Sequence, residues 1–154
     1  MALSKGDRAP DFELPDQTGT PRRLSDLLSA GPVVLFWFPA AGTPVCTKEA
    51  CHFRDTAAEF AKAGAQRIGI SMDSVDKQKQ FTGKHGFDYP LLSDASGEVS
   101  TQYGVKRGGL AGKLAPTKRV TFVIGPDQTI LDVITGELKS NDHADRALAV
   151  LGAG

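Results

Sequence analysis

Apolar residues along this chain gather in short runs that predict buried strands. The stretches 32–38 and 67–72 are apolar on both faces, with few charged positions. A strand is apolar on both faces when it lies in the middle of a parallel sheet and is covered on each side. We therefore predict that these two runs form the centre of a parallel sheet.

Turn signals between other apolar runs predict two hairpins. The runs 120–124 and 130–134 flank the sequence Gly-Pro-Asp-Gln at 125–128, which is typical of a turn between antiparallel strands. Near the N-terminus, alternation over 8–16 precedes a polar turn at 17–20. A short second hairpin is expected there.

The clearest helix start follows the first buried strand. Thr43 fits the N-cap position and Pro44 the first helical position. On this interpretation Cys46 is the third helical residue, and Cys51 falls toward the polar side. The apolar stripe of the helix then continues at steps of three and four residues, through Ala50, Phe53, Ala57 and Phe60.

The remaining pattern predicts shorter helices between the strands. They are expected from Ser25 to Leu28, from Asp73 or Ser74 toward Lys84, over 99–103, and from Asn141 or Asp142 to Leu151. Strands that alternate with helices, followed by a hairpin and a last helix, are typical of α/β folds. We therefore predict one domain over residues 1–154, a thioredoxin-like α/β sandwich with a central mixed sheet flanked by helices.

Composition adds little to this picture but excludes several partners. The chain has 154 residues and a formal net charge of zero, so neither nucleic acid nor a membrane surface is an expected partner. Its N-terminus lacks the apolar stretch of a signal peptide, and a cytoplasmic location is expected. In that compartment the two cysteines are more suited to redox chemistry or a metal than to a structural disulfide.

Cys46 is the strongest candidate for chemistry. In the first turn of a helix the backbone N–H groups lack intrahelical partners and the helix dipole favours an anion. A thiol there is biased toward the reactive thiolate. A metal site at Cys46, Cys51 and His52 is disfavoured, because the chain has no Cys-x-x-Cys pair and no second ligand cluster. No metal is therefore expected.

Two other polar features are interpreted as surface features. The three histidines, His52, His85 and His143, are isolated and predicted to be exposed. The segment 106–119 is basic and glycine-rich, but Leu114 stands where a phosphate-binding loop requires Ser or Thr. We predict a solvated loop beside the active site.

The residues around Cys46 resemble the peroxiredoxins. The spacing of Pro39, Thr43 and Cys46, Pro-x-x-x-Thr-x-x-Cys, matches the active-site pattern of that family in full. The stretch 43–55 is similar to the bacterioferritin comigratory protein branch, also called peroxiredoxin Q. Further resemblance extends over nearly the whole chain, with segments at 6–12, 89–94 and 119–124.

The resemblance implies a thiol peroxidase. The Cys46 thiolate would reduce hydrogen peroxide or an organic hydroperoxide and become a sulfenic acid, and Cys51 would condense with it to a disulfide. An external dithiol, thioredoxin by resemblance, would restore both thiols. No metal, haem or flavin is implied.

The resemblance also implies roles for four residues around Cys46. Arg119 would be the active-site arginine, whose positive charge favours the thiolate and meets the charge that develops on peroxide. Thr43 would offer its hydroxyl to peroxide or thiolate. Pro39, which has no N–H, would shield the thiolate from solvent, and Glu49 would orient Arg119.

Two alternatives remain open at this stage. A thioredoxin-like reductase of protein disulfides is compatible with the fold, but that chemistry normally uses Cys-x-x-Cys. A holdase or redox-sensing protein without peroxide turnover is the second alternative. Since the chain has no third cysteine, a disulfide between subunits is not expected, and we predict a monomer or weak homodimer.

Helix geometry sets a condition on any Cys46–Cys51 disulfide. Five helical steps place the two Cα atoms roughly 8.6 Å apart on an ideal helix. A disulfide rarely spans more than about 7 Å between Cα atoms. Oxidation must therefore unwind or displace part of the helix, and Gly42 would give the preceding loop freedom to follow.

Overall fold

A computed structural model of the protein describes residues 3–137 and 141–152. The strands are β1 (Glu13–Pro15), β2 (Pro21–Arg23), β3 (Val33–Trp37), β4 (Gln66–Ser71), β5 (Leu91–Ser93), β6 (Val120–Ile124) and β7 (Ile130–Thr135). The helices are α1 (Leu24–Leu28), α2 (Pro44–Asp55), α3 (Ala57–Lys62), α4 (Val75–His85), α5 (Glu98–Gln102), α6 (Gly109–Leu114) and α7 (Asp142–Val150).

The five strands β3 to β7 form one mixed sheet in the order β5-β4-β3-β6-β7, beside the small β1–β2 hairpin. Strand β3 pairs in parallel with β4 and antiparallel with β6. The register sets Trp37, at the carboxyl end of β3, opposite Val120, at the start of β6. The predicted thioredoxin-like sandwich with a central mixed sheet is confirmed, as are both hairpins.

Two apolar clusters cover the two faces of this sheet. Leu35 and Trp37 point to one cluster, which includes residues of α1 and α5. Phe36 points to the other, which joins α2, α3, α4 and α7. There Phe36 stacks on Phe53 of α2, with ring centroids 4.0 Å apart. Burial of such rings supplies much of the stability of a small domain, so the contact between Phe36 and Phe53 helps to dock the second half of α2 on the sheet.

Two helix predictions need correction. Helix α1 begins at Leu24 with Arg23 as N-cap, so Ser25 is not the cap. The N–H and the hydroxyl of Ser25 both donate to the Asp11 carboxylate, each at 2.9 Å. The stripe from Ala50 to Phe60 is not one helix, because the chain leaves helical geometry at Thr56, between α2 and α3.

The other helix starts agree with the predictions. Ser74 caps α4, and its hydroxyl accepts a hydrogen bond from the N–H of Lys77 at 3.3 Å. Asn141 holds the N-cap position of α7, without a side-chain hydrogen bond.

The segment 106–119, predicted to be a loop, contains the short helix α6, and Arg107 pairs with Glu137 at 3.2 Å. Over the described part of the chain, no helix combines the length and the apolar character needed to cross a membrane.

Candidate active site

Cys46 lies in the first turn of α2, where the sequence predicts it. Thr43 is the N-cap, with extended backbone angles, and Pro44 is the first helical residue. The Cys46 side chain is almost fully buried, with 1 % exposed. Both Cys46 and Cys51 are free thiols and both belong to α2. The expectation that one helix carries both cysteines in the reduced form is therefore met.

Arg119 approaches Cys46 from the neighbouring strand. Because β6 runs antiparallel to β3, the residue just before β6 lies beside the carboxyl end of β3, from which the Cys46 loop departs. The Arg119 Nη2 group lies 3.2 Å from the Cys46 sulfur. A guanidinium at hydrogen-bond distance stabilises a thiolate over a thiol.

Three further hydrogen bonds hold Arg119 in place. Its Nη1 donates to Glu49 Oε1 at 2.9 Å, its Nε to the carbonyl of Glu137 at 3.0 Å, and its backbone N–H to Glu137 Oε2 at 3.0 Å. Burial alone would lower the pKa of Arg119, but the adjacent Glu49 and Cys46 raise it overall. The cation is thus fixed against the sulfur before any substrate arrives.

Glu49 occupies the position that the predicted orienting role requires. Its side chain lies one turn after Cys46 on α2 and is fully buried. Burial raises the pKa of Glu49 from its ordinary 4.5 to about 7, although Arg119 pulls it the other way. The site therefore contains a carboxyl group that changes its charge near neutral pH.

Pro39 and Thr43 belong to the loop before α2 and are less closely engaged with Cys46 than Arg119 is. The Thr43 hydroxyl donates to the carbonyl of Ala40 at 2.8 Å and accepts no hydrogen bond from the N–H groups of the helix. Pro39 is half-buried. Between them Gly42 has a φ of +82°, a backbone conformation that favours glycine and explains why a bulkier residue is absent from this turn.

Asp73 anchors this loop, a role that the sequence did not reveal. Its Oδ2 accepts hydrogen bonds from the backbone N–H of Ala41 at 2.8 Å and from the Ser71 hydroxyl at 2.7 Å. Asp73 lies between β4 and α4, which are remote from the loop along the chain. The sequence marked Asp73 only as a possible start of the following helix, together with Ser74.

Cys51 lies in the second half of α2 and is half-buried. Side chains from other elements tether this half of the helix. The Tyr89 hydroxyl donates to the carbonyl of Ala50 at 2.7 Å. His52 Nε2 lies 2.8 Å from Asp145 Oδ1 on α7. These contacts hold Cys51 in a complete helix in the reduced protein.

The predicted exposure of the histidines is wrong for His143. It is fully buried, and its Nδ1 lies 2.7 Å from the Thr121 hydroxyl, while its Nε2 lies 2.9 Å from the carbonyl of Gly136. A sequence signal existed, because His143 precedes Ala147 by one helical turn and so shares the buried face of α7. His52 and His85 are half-buried.

Within residues 3–137 and 141–152, no group of three or more His, Cys, Asp or Glu side chains is placed to hold a metal ion. The cluster at Cys46 consists instead of one thiol, one guanidinium and one carboxyl group, an arrangement suited to stabilising a thiolate and a developing negative charge.

Comparison with known proteins shows the family to which the chain belongs. The AhpC/TSA family model matches residues 5–133. Peroxidoxin BcpB from Mycobacterium tuberculosis is 64% identical, covers 98% of this chain and 97% of its own, and superposes with a TM-score of 0.93. The chloroplastic peroxiredoxin Q of Arabidopsis thaliana is 40% identical over 98% of this chain and 68% of its own length.

A third relative is the bacterioferritin comigratory protein of Xanthomonas campestris, whose structure is 30% identical, with a TM-score of 0.84 over 99% of this chain and 98% of its own. The resemblance to the peroxiredoxins drawn from the sequence is confirmed. The chain belongs to the AhpC/TSA family and, within it, is a thiol peroxidase of the bacterioferritin comigratory protein and peroxiredoxin Q type.

Proposed function

We propose that Cys46 is the residue that attacks the peroxide and that Cys51 resolves the product within the same chain. The observation that carries this proposal is the buried Cys46 sulfur, 3.2 Å from Arg119 Nη2. Such a contact favours the thiolate and leaves a positive group next to the oxygen on which charge develops. Arg119, Glu49 and Pro39 keep the roles that the resemblance implies. Thr43 takes its implied role only when its hydroxyl turns from the Ala40 carbonyl toward the peroxide or the thiolate.

In the first step the Cys46 thiolate attacks one oxygen of ROOH. A sulfur–oxygen bond forms and the oxygen–oxygen bond breaks, which leaves a sulfenic acid on Cys46 and the anion RO⁻. Arg119 stabilises this anion until it takes a proton and leaves as ROH, or as water when the substrate is hydrogen peroxide. Sulfur is oxidised and the peroxide is reduced by two electrons.

In the second step the Cys51 thiol attacks the Cys46 sulfenic acid. A disulfide forms and water leaves. Helix α2 must open locally, because an intact helix holds the two Cα atoms roughly 8.6 Å apart. An external dithiol, thioredoxin or a similar protein, then reduces the disulfide by exchange and is itself oxidised.

An open pocket of about 280 Å³ borders the loop before α2. Its lining combines the aromatic ring of Phe81 with the stems of Lys77 and Lys84, next to Ala41 and Gly42. The lysine stems add apolar surface to the ring while their charged ends stay in water. We propose that the enzyme accepts organic hydroperoxides as well as hydrogen peroxide.

The decisive experiment measures peroxide consumption with thioredoxin as reductant for the wild type, Cys46→Ser and Cys51→Ser. Cys46→Ser should be inactive, because a serine hydroxyl is scarcely ionised. Cys51→Ser, its matched control, should consume one equivalent of peroxide and then stop as sulfenic acid. Undiminished thioredoxin-dependent turnover in Cys51→Ser would show that Cys51 is not required for resolution.

The same preparations separate the alternatives. Insulin reduction without peroxide consumption would identify a disulfide reductase. Absence of turnover in the wild type with full reductant would favour a redox sensor or holdase.

We also propose that the protein acts in the cytoplasm as a monomer or weak homodimer. Both proposed redox partners lie in one helix of one chain, so no second subunit is needed for the cycle. Sedimentation over a range of concentrations, with each redox form, tests the oligomeric state.

A further inference from the structure

One hydrogen bond joins the loop 39–43, which leads into α2, to the rest of the fold. The backbone N–H of Ala41 donates to Asp73 Oδ2 at 2.8 Å. Among the described residues, no other hydrogen bond connects this loop to an element outside the loop and α2. Gly42 and Thr43 are exposed, so packing does not fix this end of the loop. The position of the loop therefore depends on Asp73.

A buried network holds the side chain of Asp73. Its Oδ2 also accepts from the Ser71 hydroxyl at 2.7 Å, and its backbone carbonyl accepts from the Ser93 hydroxyl at 2.6 Å. Ser71 is fully buried and accepts from Gln78 Nε2 at 2.8 Å. The same Nε2 donates to the carbonyl of Leu92 at 2.8 Å. Since these partners belong to β4, β5 and α4, Asp73 is anchored to three elements of the main fold.

The chemistry of the partners fixes the direction of the hydrogen bonds in this network. The carbonyl of Leu92 can only accept, so the nitrogen of the Gln78 amide, and not its oxygen, faces Ser71. The Ser71 oxygen accepts from that nitrogen, and its single proton is left for Asp73. Asp73 Oδ2 is therefore an acceptor, which is what the N–H of Ala41 requires.

The residue that Asp73 anchors lies next to the start of α2. The carbonyl of Ala40 accepts from the Thr43 hydroxyl at 2.8 Å, and Thr43 is the N-cap of α2. The Thr43 carbonyl in turn accepts from the N–H of Thr47 at 2.8 Å. A displacement of Ala41 would therefore move Thr43 and, with it, the helical turn that carries Cys46.

Gly42 separates the anchored residue from the part of the chain that must move on oxidation. Its φ is +82°, and a Cβ atom at this position would meet no other atom within 4 Å. Glycine permits wide backbone rotation at such a position. None of the residues that hold Asp73 belongs to α2, so opening of this helix leaves the anchor intact. Helix α2 can thus open from Gly42 onward while Ala41 stays in place.

We propose that Asp73 is a positioning residue of the peroxide site, which fixes Ala41 throughout the catalytic cycle and so returns Cys46 to its attacking position after each opening of α2. This role rests on the proposed functions of Cys46 and Cys51 and goes beyond them. Asp73 touches no reacting atom and acts only through Ala41.

The first test measures the second-order rate constant for hydrogen peroxide, by competition for peroxide, in three variants. Asp73→Ala removes the acceptor of the Ala41 N–H and should slow the attack about tenfold, because a small misplacement of a reacting group is costly. Asp73→Asn keeps an oxygen that accepts this hydrogen bond and should react almost as fast as the wild type. Asp76→Ala removes an exposed carboxylate from the first turn of α4 and should have no effect.

Two results of these rate measurements would overturn the proposal. One is a wild-type rate in Asp73→Ala, which would show that the anchor does not position Cys46. The other is an equal loss in Asp73→Asn or Asp76→Ala, which would show that the loss does not come from the hydrogen bond to Ala41.

The second test measures hydrogen exchange at the Ala41 amide, which is itself the donor to Asp73. This amide should exchange slowly in the reduced wild type and at least about tenfold faster in Asp73→Ala, with the amides of β3 unchanged. In the disulfide form it should stay protected, although the amides from Thr47 to Phe53 lose protection. An unprotected Ala41 amide in either form of the wild type would overturn the proposal, as would an equal acceleration in β3.

The exchange measurement does not depend on peroxidase activity, and its reduced arm can be repeated in Cys46→Ser. Failure of the proposed function would be recognised separately, as unchanged peroxide consumption in Cys46→Ser. If Asp73→Ala does not fold, exchange at the Ala41 amide in the two forms of the wild type decides.

Discussion

The two ends of helix α2 have opposite surroundings, although one helix carries both cysteines. At the first turn Cys46 is 1 % exposed and contacts an arginine that is itself tied to Glu49 and Glu137. Cys51 itself is half-buried, between the fully buried Ala50 and Phe53, and separate contacts such as those of Tyr89 and His52 hold this part of the helix.

This contrast matches the two tasks that the proposed mechanism assigns to α2. The attacking end needs its charges in place before the peroxide binds. Groups that are already oriented do not have to reorient during the reaction, so no free energy is spent on reorganisation. In the proposed mechanism the resolving end must leave the helix once in each cycle, which requires the hydrogen bond from Tyr89 to Ala50 or the contact between His52 and Asp145 to yield. The predictions below change one end at a time.

The largest effect is expected at the attacking end, from Arg119→Ala. The substitution removes the charge that stabilises both the thiolate and the departing oxygen, so the second-order rate constant with peroxide should fall by about 10² to 10³. Arg119→Lys is the matched variant, which keeps the charge without the forked geometry, and should lose less. Rates close to wild type in Arg119→Ala would remove Arg119 from the mechanism.

The second prediction concerns Glu49 and the pH dependence of stability. The folded pKa of Glu49, about 7, lies above its ordinary 4.5, so between these values the folded state holds the proton more tightly. Stability from this group is therefore present at low pH and is lost as pH rises toward 7. Relative to Glu49→Gln, the wild-type free energy of unfolding should fall by up to about 1.4 kcal/mol per pH unit in this window.

Urea unfolding at several pH values measures this slope. Glu59→Gln is a suitable control, because Glu59 is an exposed glutamate on α3. Parallel pH profiles for the wild type and Glu49→Gln would contradict the assigned ionisation of Glu49.

The third prediction concerns the resolving end after oxidation. Because an intact helix cannot hold the Cys46–Cys51 disulfide, α2 should lose helix locally when that bond forms. Amide exchange between Thr43 and Phe53 should become at least about tenfold faster than in the reduced form, a loss of ~1.4 kcal/mol of local protection. Exchange in β3 serves as the internal reference. Equal protection in both forms would mean that this disulfide does not form.

The smallest effect is expected from Tyr89→Phe. It removes the hydroxyl that donates to the carbonyl of Ala50, a net contribution of ~1 kcal/mol, and should speed disulfide formation about fivefold by easing the opening of α2. Tyr103→Phe is the matched control, since that buried hydroxyl donates to Pro10 away from α2, also at 2.7 Å.

Stopped-flow mixing of each variant with peroxide measures the rate of disulfide formation. Faster disulfide formation in both variants would indicate general destabilisation of the fold and not a specific release of α2. An unchanged rate of disulfide formation in Tyr89→Phe would show that the hydrogen bond from Tyr89 does not limit the opening of α2.

Local signals explain why the attacking end was predictable. Thr43, Pro44 and Cys46 are adjacent in sequence, and capping preferences alone place the thiol in the first turn of a helix. Arg119 was identified through family resemblance, because no local pattern marks a residue before a strand as catalytic. The break at Thr56 was missed, since the apolar stripe continues across it with unchanged spacing.

By itself the sequence determined the order and type of the main elements, the mixed character of the sheet and the position of Cys46 on α2. Periodicity and capping depend on neighbouring residues, so they can be recognised along the chain. Only the tertiary structure decided what surrounds Cys46. Arg119 reaches the sulfur because β6 runs antiparallel to β3.

Asp73 and His143 likewise acquire their partners only through folding, across sequence separations of more than 20 residues. A polar side chain on a helix is predicted to be exposed unless something is known of the surface that covers it. Burial and charge pairing of this kind depend on which elements pack together, and this is a property of the whole fold.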